Sequence, residues 1–265
     1  AHRNPGLDGL KTMAPEQATV PGPTDTATMH PTTRDIVLLF STRITRLFAY
    51  GLISVVLGLY LASTGLSASG VGAILTATLA GDILVSLWVT LVADRVGRKN
   101  MLLLGAGLMI LAGLVFLFTT DPVWITLAAI IGIVSPSGGE IGPFLSIEQA
   151  ALSQLIPDHR RTRLFGWYNL AGCFATAAGA LAGGWLAQLL QGLGWSELEA
   201  YRSIMASYAA CGLVLIVLFA TLSQRAEVVP VANTSEGAAR KTIGLHRSKK
   251  VVFKLSSLFA LDAFA

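Results

Sequence analysis

Three ionisable side chains stand inside or at the edge of long apolar runs: Arg46, Asp82 and Glu140. Tyr50 follows Arg46 by one helical turn, on the same face. Charge in apolar surroundings is costly, so such groups face a cavity or a partner and mark sites where protons or ions are handled. Depth can be counted along a helix at 1.5 Å per residue. Asp82 falls about 18 Å before Asp94 at the inner end of its run, near the middle of a bilayer. Arg46 and Glu140 each fall about 25 Å from the opposite end of theirs. Their common depth predicts that Arg46 and Glu140 pair, with Tyr50 lining the same cavity. Asp82 or Glu140 is then the acid that takes up and releases a proton. Pro136, Gly138, Gly139 and Pro143 surround Glu140 and predict a broken helix there, with backbone groups open to a ligand.

The elements that carry these groups must be membrane spans. The chain is 53% hydrophobic and 13% charged, with a mean hydropathy of +0.65. Soluble domains average about 25% charged residues. A spanning helix needs about 20 apolar residues to cross a hydrocarbon core of about 30 Å. The apolar runs predict spans at 47–64, 70–92, 101–119, 123–147, 164–190 and 203–222, and the start of another at 251–265. They are apolar on every face, unlike the alternating pattern of spanning strands. Residues 1–34 are polar and rich in Pro and Thr, which predicts a disordered tail. Residues 35–222 form the membrane domain, and 223–250 form a connecting loop before the last apolar stretch. The simplest account of that stretch is a chain cut off as a seventh span begins.

Charge sets the expected orientation. With the N-terminus inside, the inner segments hold 18 of the 19 Lys and Arg residues, and only Arg202 lies outside. The positive-inside rule therefore predicts a multi-pass protein of the plasma membrane (the inner membrane, if bacterial) with a cytoplasmic N-terminus. The net charge of +4 then reads as membrane topology rather than as nucleic-acid binding.

The loop after the second run reads Asp94-Arg95-Val96-Gly97-Arg98-Lys99. Asp94 can meet the positive end of a neighbouring helix, Gly97 permits a tight turn, and Arg98 and Lys99 can hold anionic lipid headgroups. This loop resembles the G-x-x-x-D-R-x-G-R-K signature of the major facilitator superfamily. Asp94, Arg95, Gly97, Arg98 and Lys99 match, and Thr90 stands where the family has Gly. The resemblance covers about residues 35–265. It implies an all-α membrane fold: a six-helix N-terminal bundle built as a 3+3 inverted repeat, plus the start of a seventh helix. A further C-terminal six-helix half is then expected as partner. It also implies alternating access for a small-molecule substrate, usually with protons, and a central cavity lined by helices 1 and 4.

Other segments add to the resemblance. The basic stretch with Arg160, Arg161 and Arg163 resembles the family's loop after helix 4, and implies a cytoplasmic gate in which these residues bridge to Glu148 or Asp94. In the fifth run, Gly179-Ala180-Leu181-Ala182-Gly183-Gly184 resembles the G-P-x-x-G-G element of proton antiporters, with Ala180 in place of Pro. Gly166, Gly179, Gly183 and Gly184 are expected to let helices pack closely. The element favours efflux antiport over the alternative, proton-coupled import by symport. Trp167, Tyr168 and Trp195 are expected at the membrane interfaces, and Trp88 in packing.

Enzyme chemistry is not expected. All four histidines lie in inner segments, there is no H-E-x-x-H motif, and Ser137-Gly138-Gly139 reads as a helix break. Cys173 and Cys211 sit within apolar runs and read as packing residues, so neither metal nor cofactor is expected. A channel or membrane scaffold is the remaining class, and no repeated pore-lining segment favours it.

Overall fold

The computed structural model describes residues 31–132, 134–136, 138, 143–222, 254 and 257–258. Every element among the described residues is helical. In chain order they are α1 (Pro31–Ser63), α2 (Ala68–Val96), α3 (Arg98–Phe118), α4 (Pro122–Ile131), α5 (Pro143–Leu155), α6 (Asp158–Gly192) and α7 (Glu197–Ala220). Five of them, α1, α2, α3, α6 and α7, are long and apolar enough to cross a membrane. The expected fourth span, 123–147, is instead two pieces, α4 and α5. At 10 and 13 residues they reach about 15 and 20 Å, each short of the hydrocarbon core. The apolar stretch at 251–265 lies almost wholly outside the described residues; Lys254, Ser257 and Leu258 are helical.

Local chemistry explains where the helices start and stop. Asp121 caps α4 by accepting a hydrogen bond from the Val123 N–H at 2.8 Å, and Pro122 takes the first turn, where a missing N–H costs nothing. Ser196 and Glu199 form a reciprocal capping box at the start of α7. Gly97 separates α2 from α3 with φ 99, a left-handed conformation that a side chain would strain. Gly138, with φ 67, does the same in the break between α4 and α5.

α1 begins at Pro31, well before residue 47, because Arg34, Asp35, Arg43 and Arg46 continue its helix rather than precede it. Its 33 residues extend to about 50 Å, longer than a bilayer core. It packs most extensively against α6, and α3 packs against α7. The α1–α6 seam is close because glycine lines it. A Cβ added at Gly179 would lie 2.1 Å from the Phe48 carbonyl oxygen, and one at Gly183 2.7 Å from that of Leu52. From the other side, a Cβ at Gly51 would lie 2.2 Å from the Thr176 carbonyl oxygen. Gly166 and Gly184 face open space instead. The buried core runs along α1 from Leu47 to Leu61 and continues through Met109, Phe116, Phe144 and Phe219.

Many exposed positions on the helices are large and apolar, which suits a bilayer. Ile83, Leu84, Leu87 and Trp88 on α2 are all exposed, so Trp88 does not pack inside the bundle.

Candidate functional site

Polar residues recur along one face of α1. Thr42, Arg46 and Tyr50 are spaced by four and therefore stack on one stripe, with Arg43 beside them. All four are buried. Opposite them, α5 presents Phe144 and Glu148, again four residues apart, and α6 presents Tyr168.

These side chains build one compact network. Arg46 grips Glu148 with both arms of its guanidinium: Nη1 donates to Oε1 at 2.7 Å and Nη2 to Oε2 at 2.9 Å. Both residues are fully buried. The Thr42 hydroxyl donates to Oε1 at 3.0 Å and the Tyr168 phenol to Oε2 at 2.5 Å. The Phe144 ring covers the other side of Arg46, with its centroid 4.7 Å from Cζ. Arg43 lies 4.2 Å over the Tyr168 ring and donates to the Asn169 side-chain oxygen at 3.1 Å. Burying an ion pair is expensive, and the geometry here offsets that cost through charge-assisted and two-pronged hydrogen bonds.

The structure gives Arg46 a partner that was not expected: among the described residues it meets Glu148. Depth counting assumed an unbroken helix over 123–147. The chain breaks after Ile131 and resumes at Pro143, so a residue two turns further on reaches Arg46. Glu140 lies outside the described residues. Glu148 is accordingly an interior ligand of Arg46 rather than the partner of the basic stretch. Arg161 instead folds back onto the Ser153 and Ile156 carbonyl oxygens, while Arg160 and Arg163 are exposed. Tyr168, expected at an interface, is fully buried, whereas its neighbour Trp167 is exposed.

Asp82 on α2 makes a second polar centre. It is 1% exposed. Its Oδ1 has a long contact with the Ser86 hydroxyl at 3.5 Å, and Oδ2 accepts no hydrogen bond from the described residues. Thr78, one turn earlier, is buried and spends its hydroxyl on the Ile74 carbonyl. Tyr208 of α7 is fully buried, with Tyr50 of α1 and Asp82 of α2 both in its surroundings.

The helix break separates α4 from α5 at membrane depth. Its described residues Val134, Ser135 and Gly138 are buried. Irregular backbone is tolerated in a membrane only when it is enclosed by protein or lines a cavity. Gly138 lies against Ser54 of α1 and Thr176 of α6; a Cβ there would come within 3.1 Å of the Ser54 hydroxyl. An apolar cavity of about 200 Å³ lies elsewhere, between α3 and α4, lined by Leu108, Leu111, Val115, Trp124 and Leu127. It offers no polar group for recognition and is not the candidate site.

At the signature loop, the Lys99 ammonium donates to the Ala220 and Leu222 carbonyl oxygens at 2.7 and 3.0 Å. It caps the negative end of α7, a different use from the expected lipid contact. Arg34 adds a third bond to that end, at the Thr221 carbonyl oxygen, 3.2 Å. The side chains of Asp94, Arg95 and Arg98 lie outside the described part of the structure. Among the described residues no group of His, Cys, Asp and Glu could hold a metal.

Five apolar helices of spanning length, with charges buried between the helices, together define a multi-pass membrane protein. The chain belongs to the major facilitator superfamily, whose family model matches residues 39–265. Members of that family are transporters rather than enzymes. An uncharacterized membrane protein of Saccharomyces cerevisiae is 36% identical over 197 residues, which is 74% of this chain and 44% of the relative. The chain thus spans about half the length of the curated relative it matches. Among solved structures, a D-xylose-proton symporter superposes with a TM-score of 0.55 at 20% identity, covering 71% of this chain and 48% of its own. The human organic anion transporter MFSD10 superposes with a TM-score of 0.53 at 16% identity, covering 74% and 48%. At these identities the likeness speaks to the fold.

Proposed function

We propose that this chain is the N-terminal part of a secondary active transporter that moves a small molecule by alternating access, coupled to protons. Asp82 is the observation that carries the coupling. It is a carboxyl buried at the middle of α2, with one oxygen that meets no hydrogen-bond donor among the described residues and only a weak contact at the other. An acid so placed is where a proton is taken up and given back. Arg46 and Glu148, by contrast, neutralise one another and are a fixed internal pair. In this reading the bundle completes six spans, with α4 and α5 together as the fourth. A second six-helix half supplies the other wall of the substrate site. The excess of Lys and Arg in the N-terminal-side loops supports a cytoplasmic N-terminus in the plasma membrane.

Direction of transport divides two readings. The close α1–α6 seam at Gly179 and Gly183 supports efflux antiport, by resemblance of that segment to the antiporter element. The fold likeness to a D-xylose-proton symporter supports import equally. The two are separated by placing the full-length protein in vesicles that contain a pH-sensitive dye and applying an inward gradient of D-xylose or of an organic anion. Symport acidifies the lumen, and antiport makes it alkaline. Asp82→Asn is expected to abolish either response while the protein remains folded. Equal proton movement by wild type and Asp82→Asn would overturn the assignment of Asp82.

A further inference from the structure

We infer that Tyr168 of α6 is a positioning residue for the buried Arg46–Glu148 pair: its phenol fixes the carboxylate in its two-pronged grip on Arg46, and Arg43 over its ring fixes the phenol. The inference deepens the transporter reading and rests on it only for what the pair serves.

A carboxylate offers about four lone-pair sites. Glu148 fills them with two N–H groups of Arg46, the Thr42 hydroxyl and the Tyr168 phenol. Three of these donors belong to α1, and Thr42 and Arg46 are one turn apart, so they move together. Tyr168 alone comes from another helix. It is therefore the donor that fixes the rotation of the carboxyl plane relative to α6. Its bond is the shortest of the four, and a hydrogen bond to an ionised acceptor is roughly twice as strong as a neutral one.

The phenol is itself held. Phe40 meets its ring edge-on at 5.2 Å, and Arg43 sits over its face at 4.2 Å. Arg43 is in turn tied to Asn169, the neighbour of Tyr168 on α6. The chain of contacts therefore runs from α6 through Tyr168 to Glu148 on α5 and Arg46 on α1. Loss of the Tyr168 donor leaves the ion pair intact but free to rotate, so the phenol sets how the α5 carboxylate sits between α1 and α6.

A tyrosine that only filled space would show none of this dependence on Glu148. The test uses the full-length protein, purified in detergent without solute. The wild-type minus Tyr168→Phe ultraviolet difference spectrum is expected to show a tyrosine band shifted to longer wavelength by donation to a carboxylate. The same subtraction made in a Glu148→Gln background loses that shift. Thermal melting supplies a second measurement should Glu148→Gln fail to fold. Arg46→Lys keeps the charge and loses the two-pronged grip. Tyr168→Phe and Arg46→Lys together should then lower the melting temperature by less than the sum of their separate effects. An unshifted band, or strictly additive melting losses, overturns the inference. In vesicles, Tyr168→Phe is expected to slow solute-driven proton movement about ten-fold, in line with the loss of one hydrogen bond to a charged group. An unchanged rate there would likewise count against the positioning role. If the wild type itself moves no protons, the transporter reading fails while the spectroscopic result still stands or falls by itself.

Discussion

Removing one member of the Arg46–Glu148 pair should destabilise the bundle far more than removing both. In Glu148→Leu the Arg46 guanidinium stays buried and loses the carboxylate that receives two of its N–H arms. Loss of one partner from a buried pair costs about 3–5 kcal/mol. The Phe144 ring over Arg46 offsets part of this, about 2 kcal/mol at most for a desolvated cation on an aromatic face. The Tyr168 phenol also loses its bond to a charged acceptor, adding about 1–3 kcal/mol. Thr42 adds no such cost, because its single hydroxyl proton then turns to the Leu39 carbonyl oxygen, 2.9 Å away. The single variant should therefore lose about 3–5 kcal/mol in all, on the order of 10 °C in melting temperature for a bundle of this size. Arg46→Met with Glu148→Leu removes the buried charge and recovers most of the loss. Adding Tyr168→Phe removes the phenol and recovers the remainder. The assay is thermal unfolding of the full-length protein in detergent, followed by intrinsic fluorescence. The expected order of stability is single below double below triple. A single variant that melts with the wild type, or a double no better than the single, would refute the reasoning.

Other expectations concern packing and the helix ends. Gly179→Ala should separate α1 from α6 and sharply reduce the yield of monodisperse protein on size exclusion, whereas Gly184→Ala, with open space at its Cβ, should leave it unchanged. Lys99→Met removes the cap on α7 and should cost about 0.3–1 kcal/mol, seen as faster amide exchange confined to the last turn before Thr221. Tyr60→Phe removes hydrogen bonds to the Phe116 and Thr119 carbonyl oxygens, and should cost about 1 kcal/mol in melting with no change in proton movement.

Much of the architecture was readable in advance, because lipid leaves few options. Uninterrupted apolar runs located α2 and α3 to within four residues at each end and α6 and α7 to within six, and Pro136, Gly138 and Pro143 marked the interval between α4 and α5. The extent of α1 was not readable, because a spanning helix and its charged extension beyond the core share one backbone. The partner of Arg46 was missed for a related reason. A depth estimate multiplies residue count by helical rise, and that product loses meaning once the helix is interrupted. Tyr168 was missed because neighbours on a helix point about 100° apart. The pair Trp167-Tyr168 puts one ring outside and one inside, and the sequence does not say which. A usable signal did exist: the four-residue repeat of Thr42, Arg46 and Tyr50 marked a polar stripe on α1 that required partners on whichever helices faced it.

The glycine seam between α1 and α6 has a mechanical consequence. Where two backbones touch with no side chains between them, neither can slide or rotate without a carbonyl striking its neighbour, so the two helices behave as a single beam. Among the described residues, bending then falls on connections that this seam does not lock, the interval between Ile131 and Pro143 among them, and the short cylinder that starts at Pro143 swings or stays according to how firmly its carboxylate is clasped.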